Sequence, residues 1–324
     1  MVIEQPVLNI EDLKVHFPIR TGILQKTVGY VKAVDGVNLM IHRGETLGLV
    51  GESGCGKTTI GRAIVRLNQP NGGRILFEGQ DILPMSGENL RNLRKKLQII
   101  FQDPYSSLNP RHTVQNMMTE ILTVQMGMSD KEAGERTGEL LSHVGLSPAY
   151  AMRYPHEFSG GQRQRVAIAK ALALEPKFLV CDEAVSALDV SIQSQIINLL
   201  MDLKEEYGDM TYLFISHALN VVEHISDRVA VMYLGKIMEI AKTEELFSYP
   251  AHPYTKALLS AIPILAGRQK RERILLKGDV PGAAHIPSGC RFRTRCPLAT
   301  AECSEQEPEL KELGRDHMAA CLKI

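Results

Sequence analysis

The chain has 324 residues, of which 44% are hydrophobic and 23% are charged. This composition is close to that of globular proteins and excludes a chain that is mainly disordered. Lysine and arginine together number 37, as do aspartate and glutamate, so the net charge is zero and the basic excess typical of dedicated nucleic-acid binders is missing.

The first residues do not show the basic and then apolar pattern of a signal peptide. The most apolar later stretch, Ala257–Ala266, is shorter than the roughly 20 residues that a membrane-spanning helix needs. We therefore expect a soluble chain in a reducing compartment that reaches a membrane only through partners.

Short β-type runs alternate with turns in the first hundred residues, and two more follow later. The predicted strands are Leu8–Phe17, Val31–Ile41, Thr46–Val50, Arg74–Phe77, Gln98–Phe101, Phe178–Cys181 and Tyr212–Ile215. Helical spacing replaces them between Asp103 and Pro155, and again separates the last two strands. The predicted helices there are Val114–Gln125, Lys131–Val144 and Ile192–Glu206. The alternation predicts an α/β fold with a buried parallel sheet.

Beyond Leu246 the pattern weakens and prolines become frequent. We predict one domain over residues 1–245, with a helical subdomain at about 103–165, and a C-terminal extension over 246–324.

A glycine-rich segment, Gly51–Thr58, fits the pattern G-x-x-x-x-G-K-[ST]. It follows an apolar strand and precedes a helix predicted over Thr59–Leu67, which is the context of a phosphate-binding loop. Backbone N–H groups of such a loop attract phosphate oxygens, and the helix N-terminus adds its dipole. We expect Lys57 to reach the β- and γ-phosphates of a nucleotide and Thr58 to bind Mg²⁺.

Two further segments become candidate functional sites because a phosphate-binding loop occurs in the same chain. Phe178–Glu183 is an apolar strand that ends in two carboxylates: Asp182 can hold Mg²⁺ through water, and Glu183 can orient an attacking water. Ser159–Gln162 places a serine and two glycines before a helix, which favours anion binding. Taken alone, the first would equally be a solvated strand end and the second an ordinary helix cap.

In their order along the chain, these segments resemble the ATP-binding cassette of ABC transporters. Gln102 resembles the family's Q-loop glutamine, Ser186–Asp189 resembles its D-loop, and His217 resembles its switch histidine. The resemblance implies a P-loop NTPase fold with a RecA-like core, an antiparallel β subdomain and a helical subdomain. A capping or core histidine is the alternative for His217.

Cassettes of this family pair head to tail, so that each ATP lies between one phosphate loop and the other chain's signature segment. The resemblance implies that the phosphate-loop residues bind ATP on this chain: Ser53, Gly54, Cys55, Gly56, Lys57, Thr58 and Thr59. It implies that the signature residues serve the partner's ATP: Ser159, Gly160, Gly161 and Gln162.

The same resemblance assigns the chemistry. Glu183 would be the general base or water-positioning residue, His217 would contact the γ-phosphate, and Gln102 would sense Mg²⁺ and the attacking water. Asp182 would hold Mg²⁺, and Ser186 and Asp189 would form the D-loop. Ala218 departs from the family, which usually has aspartate after the histidine, and this affects the fine positioning of the switch loop.

An aromatic platform for adenine is expected from the early strands. By resemblance Phe17 is the candidate, with Ile19–Tyr30 an inserted hairpin; Tyr30 is a competitor, and a core role for Phe17 is the alternative.

Several stretches resemble the oligopeptide and dipeptide importers of bacteria and archaea. They are the insertion after Phe17, Gln102–Arg111, Asp182–Ser191 and His252–Leu258. The resemblance implies two different ATPase subunits beneath two permeases at the cytoplasmic face of the membrane, with an external binding protein delivering the solute. Nickel and other small solutes are alternatives to peptides, because their importers share this ATPase type.

Four cysteines lie in the extension: Cys290, Cys296, Cys303 and Cys321. Their gaps are wider than those of ordinary zinc modules. Four thiolates can hold an iron–sulfur cluster, and the tails of this peptide-transporter family resemble [4Fe–4S] sites; zinc and free thiols are the alternatives. Arg291, Arg293 and Arg295 would offset thiolate charge or be solvated.

Two other classes of function stay open. A soluble ABC ATPase of DNA repair or translation usually has two cassettes or long coiled coils, and this chain shows neither. The other is a redox-regulated ATPase in which the cysteines are primary.

Overall fold

A computed structural model of the chain describes residues 6–23, 25–262, 272–314 and 316–324, without the side chain of Ser106. Its strands are β1 (Leu8–Thr21), β2 (Lys26–Ile41), β3 (Thr46–Val50), β4 (Gly72–Phe77), β5 (Gln80–Asp81), β6 (Leu97–Ile100), β7 (Phe178–Asp182), β8 (Thr211–Ser216), β9 (Arg228–Tyr233), β10 (Lys236–Lys242), β11 (Lys311–Gly314) and β12 (His317–Ala319).

Its helices are α1 (Lys57–Ile64), α2 (Gly87–Lys96), α3 (Pro104–Ser107), α4 (Val114–Ile121), α5 (Asp130–His143), α6 (Gly160–Leu172), α7 (Val190–Tyr207), α8 (Leu219–Ile225), α9 (Thr243–Ser248), α10 (Pro253–Ser260) and α11 (Glu302–Glu305). None of the helices in the described ranges combines the length and apolar character needed to cross a bilayer.

The chain divides into two compact units. The first lies within residues 1–42, 46–83 and 216–324, and the second within 43–45 and 84–215. These units are defined by packing and do not test the predicted boundary at residue 246 between the domain and its extension. That boundary stays a prediction.

The first unit contains an antiparallel sheet in the order β2-β1-β4-β5. Strands β1 and β2 continue beyond the predicted ends and pair as far as Thr21 and Lys26, so the predicted hairpin is an extension of the same two strands. Apolar side chains of β1 such as Leu8, Ile10 and Leu13 are buried, whereas Phe17 and Tyr30 toward the hairpin tip are exposed. The hairpin therefore projects from the packed part of the sheet.

Strand β3 is fully buried within the first unit. All five of its residues are buried, as expected for a parallel strand covered on both faces. It pairs in parallel with β9, and β9 continues antiparallel into β10. Helix α8 packs closely on β3, because a Cβ at Gly48 would lie 2.4 Å from Val222 Cγ1.

The C-terminal extension adds to the same sheet. Strand β12 pairs antiparallel with β10, and β11 pairs with β12. The fully buried Glu239 on β10 accepts hydrogen bonds from the N–H groups of Ala251 and His252 and lies 2.7 Å from His317 Nε2. A buried carboxylate therefore holds both ends of the extension to β10.

The second unit combines a parallel sheet in the order β6-β7-β8 with a helical segment. The predicted helical character between Asp103 and Pro155 is confirmed by α3, α4 and α5. The helix predicted over Val114–Gln125 is α-helical only to Ile121 and continues as a π-helical turn over Leu122–Met126.

A buried histidine of the extension makes the stability of the first unit pH-dependent. His252 caps α10, with its Nδ1 accepting from Tyr254 N at 3.1 Å, and burial lowers its pKa from 6.5 to about 4, against the opposing hydrogen bond to Ala320. Between pH 6.5 and about 4 the unfolded chain therefore takes up a proton that the folded chain excludes.

We expect the free energy of unfolding to fall by about 3 kcal/mol from this group as pH drops through that window. His252→Asn keeps a capping acceptor but does not titrate, so its loss of stability should be smaller by that amount. Urea denaturation of both proteins above pH 6.5 and near pH 4 measures the difference. Equal losses would contradict the assignment.

Candidate nucleotide site

The phosphate loop begins where β3 ends and leads into α1. Gly51 and Gly56 have φ of +154° and +113°, a region that favours glycine. A Cβ at Gly51 would lie 2.2 Å from the carbonyl oxygen of Met232, and one at Gly56 would lie 2.1 Å from that of Ala33. These positions therefore accept only glycine without movement of the neighbouring strands.

Lys57 is 4% exposed, and its ammonium lies across the loop. Its Nζ donates to the carbonyl oxygens of Gly51 (2.8 Å) and Glu52 (3.1 Å) and lies 3.8 Å from Cys55 Sγ. Burial raises the pKa of the Cys55 thiol, so the cysteine is a neutral part of the loop.

The other predicted loop residues differ in exposure. Ser53 and Gly54 are exposed, Gly56 is buried, and Thr58 and Thr59 are half-buried at the start of α1. The loop thus presents its middle to solvent and its ends to the core, as a phosphate-binding loop requires.

The two carboxylates of the second unit follow β7. Asp182 is 3% exposed and pairs in register with Ile215 of β8. Glu183 has φ of +50°, and its N–H donates to the carbonyl oxygen of Ile215 at 3.0 Å. The chain therefore leaves the strand in a sharp turn directly at the predicted base.

A short hydrogen-bonded chain joins the Q-loop to that turn. Gln102 Nε2 donates to Ser186 Oγ at 3.3 Å, and Ser186 Oγ donates to the carbonyl oxygen of Glu183 at 2.9 Å. Asp189 is the N-cap residue of α7. The structure therefore joins Gln102 of the Q-loop and Ser186 of the D-loop to the turn at Glu183, while Asp189 begins the next helix.

The signature segment caps α6. Ser159 Oγ accepts from Gln162 N at 3.3 Å, and Gln162 Oε1 accepts from Ser159 N at 3.0 Å, which completes a capping box. Ser159 and Gly160 are exposed. The positive end of a 13-residue helix is thus open to solvent beside two glycines, Gly160 and Gly161.

The aromatic candidates lie on the projecting hairpin. Phe17 is 42% exposed and Tyr30 is 52% exposed, and they occupy neighbouring pairs of the β1–β2 ladder. A core role for Phe17 is therefore wrong, whereas the choice between the two aromatic residues stays open. His217 is exposed, and Ala218 N donates to Ser216 Oγ at 3.0 Å.

Each unit holds part of the predicted set. The phosphate loop, Phe17 and His217 belong to the first unit, and Gln102, the signature segment, the two carboxylates and the D-loop belong to the second. The contacts of these residues with a nucleotide remain predictions.

The sequence patterns do not predict which residues of the extension contact the phosphate loop and β2. Arg295 forms two hydrogen bonds with the carboxylate of Glu52, and the Tyr254 hydroxyl accepts from Glu52 N. Arg291 donates to Asp35 at 2.6 Å. Burial raises the pKa of Asp35, but the hydrogen bonds from Arg291 and His16 outweigh burial and lower it.

The spacing of the arginines in the extension does not indicate which acidic residues they contact. Arg291 and Arg295 are 5% and 9% exposed, so both are ion-paired in the interior, and the predicted solvated state is wrong for them.

The four cysteines of the extension are all unbridged. Burial raises the pKa of Cys290 and Cys296, and the N–H of Cys290 donates to the carbonyl oxygen of Cys303 at 2.8 Å. Within the described ranges, however, no three histidine, cysteine, aspartate or glutamate side chains form a group that could hold a metal ion. The thiol geometry therefore does not support the predicted iron–sulfur or zinc site.

Two sequence families match the chain. One, described as ABC transporter, covers residues 34–186. The other, described as the C-terminal region of oligopeptide/dipeptide transporters, covers residues 238–303.

Similar proteins match over nearly the whole length. The chain is 55% identical to the oligopeptide transport ATP-binding protein AppF of Bacillus subtilis, covering 98% of this chain and 97% of that protein. It is 47% identical to the dipeptide transport ATP-binding protein DppF of Haemophilus influenzae, with coverage of 98% and 97%.

Solved structures match the cassette. A dimer of an ATP-binding cassette in a post-hydrolysis state with ADP and phosphate aligns with a TM-score of 0.65 at 28% identity, over 73% of this chain and 98% of that one. The Clostridium perfringens protein cbiO1, part of an ABC transporter complex, aligns with a TM-score of 0.64 at 30% identity, over 76% and 92%.

The packing around the signature segment distinguishes its two glycines. A Cβ at Gly161 would lie 2.6 Å from Ile192 Cγ2, whereas one at Gly160 would meet Leu188 Cδ2 at an ordinary 3.6 Å. We expect Gly161→Ala to lower the free energy of unfolding by about 1–3 kcal/mol through overpacking.

Gly160→Ala is the matched control and should leave stability unchanged or raise it by up to about 1 kcal/mol, because alanine favours helix. Denaturant unfolding of the two variants makes the comparison. Equal stability of the two would contradict the close contact with Ile192.

Proposed function

The chain belongs to the ATP-binding subunits of oligopeptide/dipeptide ABC transporters, and on that premise we propose that it hydrolyses ATP to drive the import of di- and oligopeptides through partner permeases. The proposal rests on two features that occur in the same chain. One is a phosphate loop whose glycines pack against neighbouring strands, and the other is the turn at Glu183, which hydrogen bonds link to the Q-loop. Both belong to the chemistry of phosphoryl transfer to water.

ATP would bind between two cassettes paired head to tail. The phosphate loop and Lys57 would hold the β- and γ-phosphates, Thr58 and Asp182 would hold Mg²⁺, and Glu183 would position the attacking water. The exposed N-terminus of α6 supports the role of the signature segment, because its positive end can stabilise the γ-phosphate charge of an ATP held by a partner only if its own chain leaves it uncovered. The solved cassette dimer with ADP and phosphate supports the pairing by analogy.

The assembly would place the chain on the cytoplasmic face of the membrane. Its partners would be a second, different ATPase subunit, two permeases and an external binding protein that supplies the solute. The names of the relatives, which are oligopeptide, dipeptide and peptide import ATP-binding proteins, support peptides as that solute. Residues 246–324 would form the extension, in keeping with the C-terminal family match over 238–303.

The test is ATP hydrolysis by the assembled transporter with its binding protein, with and without a short peptide. Peptide should stimulate hydrolysis, and Glu183→Gln should lower the stimulated rate by roughly 100-fold or more, the usual contribution of a general base. The matched control is Glu205→Gln, on the exposed face of α7, which should leave the rate unchanged.

Each departure from this result has a definite meaning. Stimulation by nickel or another small solute and not by peptide would keep the ATPase assignment and replace the solute. A stimulated rate that survives Glu183→Gln would overturn the role of Glu183. Hydrolysis insensitive to permeases and every solute would favour a soluble ATPase.

The iron–sulfur cluster remains a proposal that depends on the four cysteines: Cys290, Cys296, Cys303 and Cys321. Its support is the resemblance of this cysteine-bearing tail to the [4Fe–4S] tails of the peptide-transporter family, together with the backbone hydrogen bond from Cys290 N to Cys303 O. Such a group would hold the extension together, and zinc is the alternative.

Purification of the full chain without oxygen, followed by analysis of iron, sulfide and zinc, tests this proposal. We expect iron and sulfide in equal amounts with broad visible absorption, both lost in Cys296→Ser and retained in Cys55→Ser. Zinc without sulfide would establish the alternative, and the absence of both metals would leave free thiols.

A further inference from the structure

Glu52, the second residue of the phosphate loop, is held through three of its groups. Its N–H donates to the Tyr254 hydroxyl at 2.9 Å. Its carboxylate accepts from both terminal nitrogens of Arg295, at 2.5 and 3.0 Å. Its carbonyl oxygen accepts from Lys57 Nζ at 3.1 Å. One residue therefore connects the lysine of the loop to two residues of the chain beyond β10.

The pair between Arg295 and Glu52 is largely withdrawn from water. The Arg295 side chain is 9% exposed and that of Glu52 is 27% exposed. The two-pronged geometry matches a planar guanidinium to a carboxylate and fixes orientation as well as distance. Such a pair resists displacement far more than an exposed ion pair does.

Aromatic packing keeps Arg295 and Tyr254 in place. The Arg295 guanidinium lies 5.9 Å from the centre of the Tyr233 ring. Phe292, which is fully buried, contacts the Tyr233 and Tyr254 rings at centroid distances of 5.3 and 5.2 Å. Both groups that hold Glu52 therefore belong to one packed cluster and move with it.

A second arginine of the same segment contacts β2. Arg291 donates to Asp35 on β2, and Asp35 lies 2.9 Å from His16 Nε2 on β1. His16 immediately precedes Phe17, the candidate for the adenine platform. The extension thus contacts both the phosphate loop and the strands that carry the aromatic candidate.

We propose that Arg295 and Tyr254 are positioning residues for ATP: they fix Glu52, whose carbonyl oxygen in turn orients the Lys57 ammonium across the phosphate loop. The loop contains three glycines and an exposed middle, so without such supports it would lose more conformational freedom on binding phosphate. The inference rests on ATP as the ligand, and it gives the extension a role in nucleotide affinity that the proposed function does not include.

The test uses Arg295→Met in the full chain and in the assembled transporter. This change leaves the Glu52 carboxylate without its partner. We expect Kd and KM for MgATP to rise roughly tenfold, the effect of losing about one charge-assisted hydrogen bond, while kcat stays within about a factor of two. Arg293→Met is the matched control, since Arg293 lies in the same segment but donates to Ser288, and its KM should not change.

Three companion variants separate positioning from general stability. Arg295→Lys should recover part of the lost affinity, because it keeps one charged donor. Glu52→Gln should resemble Arg295→Met, and the double variant should bind ATP no more weakly than either single one, since both remove the same interaction. Thermal unfolding without nucleotide is recorded for every protein.

An unchanged Kd for MgATP in Arg295→Met would overturn the inference. So would a rise in Kd that Arg295→Lys does not reduce and that follows a matching loss of thermal stability, because Arg295 would then be purely structural. Failure of the unaltered chain to bind MgATP would instead contradict the proposed function.

Discussion

The close approach of the phosphate loop to two neighbouring strands is the constraint on which the first unit depends. Carbonyl oxygens of Met232 on β9 and Ala33 on β2 occupy the space where side chains at Gly51 and Gly56 would begin. Further backbone hydrogen bonds join the same elements: Gly235 N donates to Cys55 O, and Asp35 N donates to Gly235 O. The loop is therefore a part of the sheet's packing, and its N–H groups are presented by a framework that is already formed.

In the second unit, the backbone turn at Glu183 determines where the two adjacent carboxylates lie. A strand places successive side chains on opposite faces, so two adjacent acids at its end would diverge. The left-handed conformation of Glu183, which costs about 1–2 kcal/mol for a residue with a Cβ, changes this direction. Hydrogen bonds from Glu183 N to Ile215 O and from Ser186 Oγ to Glu183 O offset that cost. Asp182 is thereby buried at the strand end while Glu183 stands at the turn.

The features that the sequence predicts correctly are those that depend on residues close together in the chain. Strand β3 occupies the predicted residues, because a short and mainly apolar run between turns is typical of a parallel strand buried on both faces. A helix begins at the segment Ser159–Gln162 as predicted, and its serine and glutamine, three positions apart, form the capping box that the structure shows. The helix after the phosphate loop begins at Lys57, two residues earlier than predicted, because its first three residues, Lys57, Thr58 and Thr59, are polar and add nothing to the apolar spacing.

The contacts of the extension could not be predicted in this way. Arg295 and Glu52 are separated by 243 residues, and neither lies in a pattern that names the other. The same holds for the buried contact of Glu239 with His317, which pairs β10 with a strand near the end of the chain. Arginines in an irregular, proline-rich segment can be either solvated or buried, and the sequence does not distinguish the two. Here the burial of the neighbouring Phe292 draws the arginines into the interior.

These long-range contacts also bear on the stability of the extension itself. Its Phe292 and Arg291 are buried, and Arg291 and Arg295 form ion pairs with Asp35 and Glu52 elsewhere in the first unit. If the hold on Glu52 favours ATP binding, thermodynamic linkage requires that ATP binding favour the hold on Glu52 by the same free energy. A segment that orders the phosphate loop is then itself ordered by what the loop binds. On this proposal the extension and the phosphate loop would be thermodynamically coupled, although 243 residues separate Arg295 from Glu52.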